Sequence, residues 1–291
     1  MFFETATHKC HAITLFHKKQ VDKWEILGYT AHMKIGVFDS GLGGLVIAKA
    51  LMEALPQYDY VYYGDTEHLP YGEKTSGRIL AYTLDAMQYL IQQGCGLIII
   101  ACNTATAVTL RYLQKRFCPK YAPHVKILGV IIPTVETALQ TSTDNIGVVA
   151  TPATIRSDIY GVELRKISPK VNVFSLATPR LVPAIEANDF LGAEKAIAEY
   201  ALNFQNIPAL ILGCTHYPIV KNLFQKYLPH TRIVAQDDLM GEKLTDYLKR
   251  HTEIETKLSR KGTRQFIVSQ MSEGYHQVAQ KLFPKIQLEL L

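Results

Sequence analysis

Leu97–Thr106, LIIIACNTAT, decides how the chain folds. Leu97 to Ile100 run without a break into Ala101, Cys102, Asn103 and Thr104. A short continuous apolar run is the pattern of a parallel strand buried on both faces. The small and polar residues after it lead into a helical pattern reaching Phe117. Cys102 therefore stands where a strand ends and a helix begins, the place where open α/β sheets bind ligands. Ala209–His216, ALILGCTH, repeats the arrangement around Cys214. One cysteine at such a turn reads most simply as a small buried hydrophobe. Two at equivalent turns point to chemistry.

Outward from Cys102, strand and helix patterns alternate along the chain. IGVF is followed by the turn DSGLGG and the helix LVIAKALMEAL. DYVYYGD reads as the next strand, TEHLPYGEKT as a polar loop, and RILAYTLDAMQYLIQQG carries Leu80, Leu84, Met87, Leu90 and Ile91 at helical spacing. VKILGVII predicts a strand, with a helix after Pro133. IGVVA, VNVFSL, RIVAQ, RQFIVS and IQLELL predict further strands with helices between them. TPATIRSDIY opens a helix. This rhythm predicts an α/β protein of doubly wound parallel sheets.

The rhythm is duplicated. IGVFDSG begins at Ile35 and IGVVATP at Ile146, and each leads to its cysteine after the same interval to within one residue. Two pseudo-symmetric halves with facing sheet ends would bring both cysteines to one cleft. The segments after Gln236 have no counterpart in the second half and are expected to return to the first. The expected division is a first α/β domain of residues 33–132 plus 237–291 and a second of 133–236. Residues 1–32 hold four His, four Lys and the single Trp without sustained periodicity. They read as an N-terminal extension contributing little core.

Composition narrows the class. The chain has 291 residues, 48% hydrophobic and 20% charged, as in a soluble globular protein. A mild net charge of +5, with no basic cluster interleaved with aromatics, does not imply nucleic acid. No apolar run approaches the roughly 18 residues of a membrane span. Five scattered cysteines without a CxxC pair suggest neither a disulfide framework nor structural zinc. A reducing cytoplasm fits them best.

Two cysteines facing one cleft suit stereoinversion at carbon. One thiolate takes a proton from one face while the opposing thiol gives one to the other. A thiol pKa of about 8.5 lets either form serve near neutrality. A metal would need further ligands, and only His216 lies near. His216 reads equally as support for thiol ionisation or as a structural histidine. Asn103, Thr104 and Thr215 offer short polar groups at helix starts, where carboxylates are held well. Asp39 and Ser40 follow the first strand directly, and Asp39 reads also as a helix cap. DSGLGG lacks the third glycine of a dinucleotide fingerprint, because Val46 stands there. Pro70, Tyr71 and Gly72 form either a plain turn or one wall of the cleft.

FDSGLGG, YGDTEHLPYG, ACNTAT, IGVVATPATIRSDIY and GCTHYP, in this order, resemble the aspartate/glutamate racemase superfamily. The CTH around Cys214 is similar to its glutamate branch. The resemblance implies two α/β domains, no cofactor or metal, and interconversion of L- and D-glutamate that supplies peptidoglycan synthesis with D-glutamate. It implies Cys102 and Cys214 as the two bases, Cys214 acting on the L-enantiomer, with Asp39 and His216 as their respective helpers. Substrate contacts carried over are Asp39, Ser40, Pro70, Tyr71, Gly72, Asn103, Thr104, Thr151, Thr215 and His216. The chain departs from the family pattern at Thr178–Pro179, where Cys-Pro is frequent, at Ile132–Thr134, and in VAQDDLMGEKL, which lacks the usual Asp-Ser. The departures leave open a related aspartate or broad-specificity racemase, a non-catalytic partner-binding protein on the same fold, and the oligomeric state, a homodimer included.

Overall fold

The structure is a computed structural model describing residues 32–271 and 273–291. Of the residues read as an extension only His32 falls in that range, so that expectation lies outside the described residues.

The strands form two parallel sheets. The larger joins β1 (Lys34–Asp39), β2 (Tyr60–Gly64), β3 (Cys95–Ile100), β4 (Lys126–Gly129), β9 (Arg264–Val268) and β10 (Leu288–Leu290) in the order β10-β9-β2-β1-β3-β4. The smaller joins β5 (Asn145–Ala150), β6 (Asn172–Ala177), β7 (Ala209–Gly213) and β8 (Arg232–Val234) in the order β6-β5-β7-β8. The order β2-β1-β3-β4 is thus repeated strand for strand. The duplication seen in sequence is a duplication of topology, and β9 and β10 extend the first copy alongside β2.

Alternation along the strands sorts the core. Leu97, Ile99 and Ala101 of the first half share one apolar cluster with Ala209 and Ile211 of the second. Ile98, Ile100 and Cys102 face a separate cluster, and Leu210, Leu212 and Cys214 face a third. Side chains on a strand point to opposite faces with period two. Each cysteine therefore continues the row facing away from the shared core, at matching positions in the two halves.

Two expectations shift in detail. The strand predicted over VKILGVII ends at Gly129, and a helix already runs over Ile131–Thr141. Pro133 sits in its first turn, where a missing N–H breaks no helical bond. The apolar run continues because Ile131 is buried in the helix as deeply as the strand before it. The helix predicted from TPATIRSDIY is two, Pro152–Arg156 and Ile159–Ile167, parted by Asp158 at φ 49°. An aspartate tolerates that left-handed conformation better than most residues.

Candidate active site

The carboxyl ends of β1, β3, β5 and β7 deliver Ser40, Cys102, Thr151 and Cys214 to one cavity. Cys102 is the N-cap of the helix Asn103–Tyr112, and its Sγ accepts from the Ala105 N–H at 3.4 Å. Ser40 Oγ lies 3.3 Å from the same sulfur. Burial pushes the Cys102 thiol up to about 12, and the nearby charge of Asp39 adds to the effect. Cys102 is therefore held as a neutral thiol, a proton donor in waiting.

Cys214 has a different neighbour. Its Sγ lies 3.6 Å from His216 Nδ1, and the other ring nitrogen lies 2.5 Å from Glu186 Oε1. Burial alone would lower the basicity of His216, but the Glu186 carboxylate and the bond to Cys214 hold its pKa well above the ordinary value. The charge on His216 in turn keeps the largely buried Glu186 below its ordinary value, with help from the Leu42 N–H. His216 is thus an imidazolium whose two donors point at a carboxylate and a sulfur.

The DSGLGG loop closes the two halves against each other. Asp39 Oδ2 accepts from the Gly41 and Gly44 N–H groups at 2.9 and 3.0 Å, and Oδ1 accepts from Thr215 Oγ1 at 3.2 Å. Burial raises the Asp39 carboxyl to about 6 against these bonds and the charge of His216. Gly43 lies so close to the Thr215–His216 peptide that a Cβ would come within 2.5 Å of the His216 nitrogen. Only glycine permits that approach. The hydrogen bonds of Asp39 therefore reach the Cys214 side, while the side chain bonded to Cys102 is Ser40.

The remaining expected residues line the same cavity. Pro70, Tyr71 and Gly72 form a wall in which the Tyr71 hydroxyl donates to Asp65 Oδ2 at 2.6 Å and Gly72 packs on Thr151. Thr104, Thr151 and Thr154 bring three hydroxyls together across the halves, with separations of 2.8, 3.2 and 3.1 Å. Asn103, Thr215, Thr178 and the carboxylate-bearing Glu73 complete the polar lining. Asp39 alone of the expected residues stands behind the lining, fully buried.

Sequence reasoning did not assign Glu186, Thr154, Gln236 or Tyr160. Glu186 ends the VPAIE segment beside the Thr178–Pro179 departure, and the short helix Leu181–Glu186 carries it to His216. No local pattern marks it as an imidazole's partner. Thr154 was visible only as the second threonine of TPAT.

Among the described residues no Lys or Arg lines the cavity, and His216 is its basic group. The donors its lining offers are N–H groups at helix starts and hydroxyls, the kind that suit an anion. Two thiols, one neutral and one beside an imidazolium, frame a site suited to moving a proton on and off carbon.

Residues 46–235 match the family Asp/Glu/Hydantoin racemase. A glutamate racemase from Ruegeria pomeroyi is 38% identical over 236 residues, 75% of this chain and 86% of that protein. The structure of a glutamate racemase isoform from Bacillus anthracis is similar with a TM-score of 0.80 and 27% identity, over 90% of this chain and 98% of that one. A glutamate racemase from Francisella tularensis, solved in complex with D-glutamate, is similar with a TM-score of 0.79 and 32% identity, over 89% and 97%. With its family pattern running through both sheets and these relatives matched over most of their length, the chain belongs to the Asp/Glu/hydantoin racemase family, on its glutamate racemase branch.

Proposed function

We propose that this enzyme interconverts L- and D-glutamate by passing the α-proton between two thiols, without a cofactor, in the cytoplasm, and so supplies D-glutamate for peptidoglycan. The observation that carries the reading is that Cys102 and Cys214, from equivalent turns of duplicated halves, line one cavity. A two-base racemisation needs a base on one face of the α-carbon and an acid on the other.

The family resemblance assigns the faces, and the unequal settings of the thiols are compatible with that assignment. Cys214, bonded to the His216 imidazolium, takes the proton from L-glutamate. Cys102, neutral and 3.3 Å from Ser40, returns a proton to the opposite face. In the reverse direction the roles exchange. Glu186 keeps His216 charged, and Asp39 holds the DSGLGG loop against Thr215 so that the two halves stay in register. The substrate carboxylates are held by the N–H groups and hydroxyls of Ser40, Gly72, Asn103, Thr104 and Thr215, with Pro70, Tyr71 and Thr151 shaping the wall.

The test is a racemisation assay on purified enzyme. L-glutamate should be converted without added cofactor. Cys102→Ala and Cys214→Ala should each abolish conversion in both directions while the fold, read by circular dichroism, is kept. Full activity in either variant would defeat the reading. Equal turnover of aspartate would favour the broad-specificity alternative.

A further inference from the structure

We infer that Gln236 is a positioning residue, which through a closed ring of hydrogen bonds turns the Asn103 amide so that it offers the substrate an N–H. This rests on the two-thiol reading of the cavity.

Asn103 adjoins Cys102 and lines the cavity, yet its side chain is largely engaged behind it. Its Nδ2 donates to Gln236 Oε1 at 2.9 Å. Its Oδ1 accepts from Gln236 Nε2 at 2.8 Å and from the Tyr160 hydroxyl at 2.6 Å. Gln236 Nε2 also donates to the Tyr160 hydroxyl at 3.2 Å. All three side chains are buried, and Gln236 is fully so.

Counting hydrogens shows what the ring leaves over. An amide carries two N–H donors and an oxygen that accepts twice. Both Gln236 donors are used, and the Asn103 oxygen is filled by two donors. Asn103 keeps one uncommitted N–H, on a residue of the cavity wall. Neither amide can turn alone, because that would set donor against donor inside a dry ring. Turning both together would present the Asn103 oxygen to the cavity, where a carboxylate would be repelled. An acceptor-bearing substrate and the ring thus support the same orientation.

The ring also joins three separate pieces of chain. Asn103 starts a helix of the first half, Tyr160 lies in a helix following β5, and Gln236 follows β8. Gln236 falls in the very segment where this chain departs from the Asp-Ser of the family pattern.

The test uses kcat and KM for both enantiomers in full-length Gln236→Leu and Gln236→Glu, measured from pH 6 to 9. With Leu the Asn103 amide is freed, and KM should rise about tenfold in both directions, the worth of one hydrogen bond to a charged group, while kcat changes little. With Glu the introduced carboxyl reproduces both bonds when protonated and sets oxygen against the Asn103 oxygen when ionised. Its KM should therefore be near wild type at the acid end and rise with pH, a dependence that a merely structural role would not produce. An unchanged KM in Gln236→Leu, or a loss confined to kcat, would overturn the inference. Should Gln236→Leu fail to fold, a KM in Gln236→Glu that follows the wild-type pH profile would overturn it alone. Cys102→Ala assayed in parallel separates the two readings. Racemisation surviving that change defeats the two-thiol mechanism, whereas flat KM values defeat only the role of Gln236.

Discussion

Glu186 Oε1 lies 2.5 Å from His216 Nε2, joining the carboxylate at the end of the helix Leu181–Glu186 to the imidazole that touches Cys214. This half-buried pair gives the two thiols unequal neighbours, although topology makes them equivalent.

Replacing Glu186 with Gln should release the proton from His216. General acid–base support of this kind is worth ~10² to 10⁴ in rate, so kcat should fall by about 10². The alkaline limb of the kcat profile should move to lower pH. The pair's stability contribution has a defined window. Glu186 is held below its ordinary 4.5, so its share is present above that pH and lost on acidification. His216 is held above its ordinary 6.5, so its share is full below that pH and lost as pH rises through the folded value. Thermal melts should show the widest gap between wild type and Glu186→Gln between these two values, and a gap independent of pH would contradict the pairing.

Asp39 carries the opposite sign. Its carboxyl is raised from 3.8 to about 6, so the folded state binds its proton more tightly than the unfolded chain. Stability should therefore fall as pH rises through that window, by roughly 3 kcal/mol for a shift of about two units. Asp39→Asn should remove this slope from the denaturation profile while keeping the fold. A slope identical to wild type would show that Asp39 ionises freely.

Thiol modification should distinguish the cysteines. Cys102 and Cys214 are equally hidden, at 4% and 6% exposure, so access does not discriminate between them. The Cys102 thiol is pushed up to about 12, and the thiolate is the reactive form. Iodoacetamide at neutral pH should label Cys214 first, inactivate the enzyme, and be slowed by glutamate, with mass spectrometry assigning the site. Preferential labelling of Cys102 would contradict the raised Cys102 thiol.

Gly43→Ala tests the contact between the halves. The added methyl would meet the Thr215 carbonyl carbon at 2.4 Å, a backbone atom held by its own turn. The DSGLGG loop should be forced off the Cys214 turn, so kcat/KM should drop at least tenfold and the melting temperature should fall with it, overpacking of this kind costing about 1–3 kcal/mol. Wild-type kinetics would mean that the approach has no part in catalysis.

The parts of this architecture that depend on near neighbours in sequence are visible in the sequence. Unbroken apolar runs marked β1, β3, β5 and β7, and the polar residues after three of them marked Ser40, Cys102 and Cys214 as residues of one cleft, while Thr151 came only from the family resemblance. The boundary at Ile131 was hidden because a buried helix start is as apolar as a buried strand end. Glu186 and Gln236 were hidden for another reason. Each meets its partner, His216 or Asn103, only through the packing of distant segments, and no spacing rule encodes that. The place of Asp39 was legible, but its partner was not. Its carboxylate turned out to bond Thr215 across the cleft, with Ser40 beside Cys102.

The central claim is that two thiols act from opposite faces, and deuterium transfer tests it most directly. Racemisation of L-glutamate in D₂O lets Cys214 take the α-proton while Cys102, equilibrated with solvent, returns deuterium to the other face. Early in the reaction the D-glutamate formed should be almost fully deuterated at the α-carbon and the remaining L-glutamate almost unlabelled, with the mirror result from D-glutamate. Substantial protium in the first product formed would mean that a single group serves both faces, and would contradict the account.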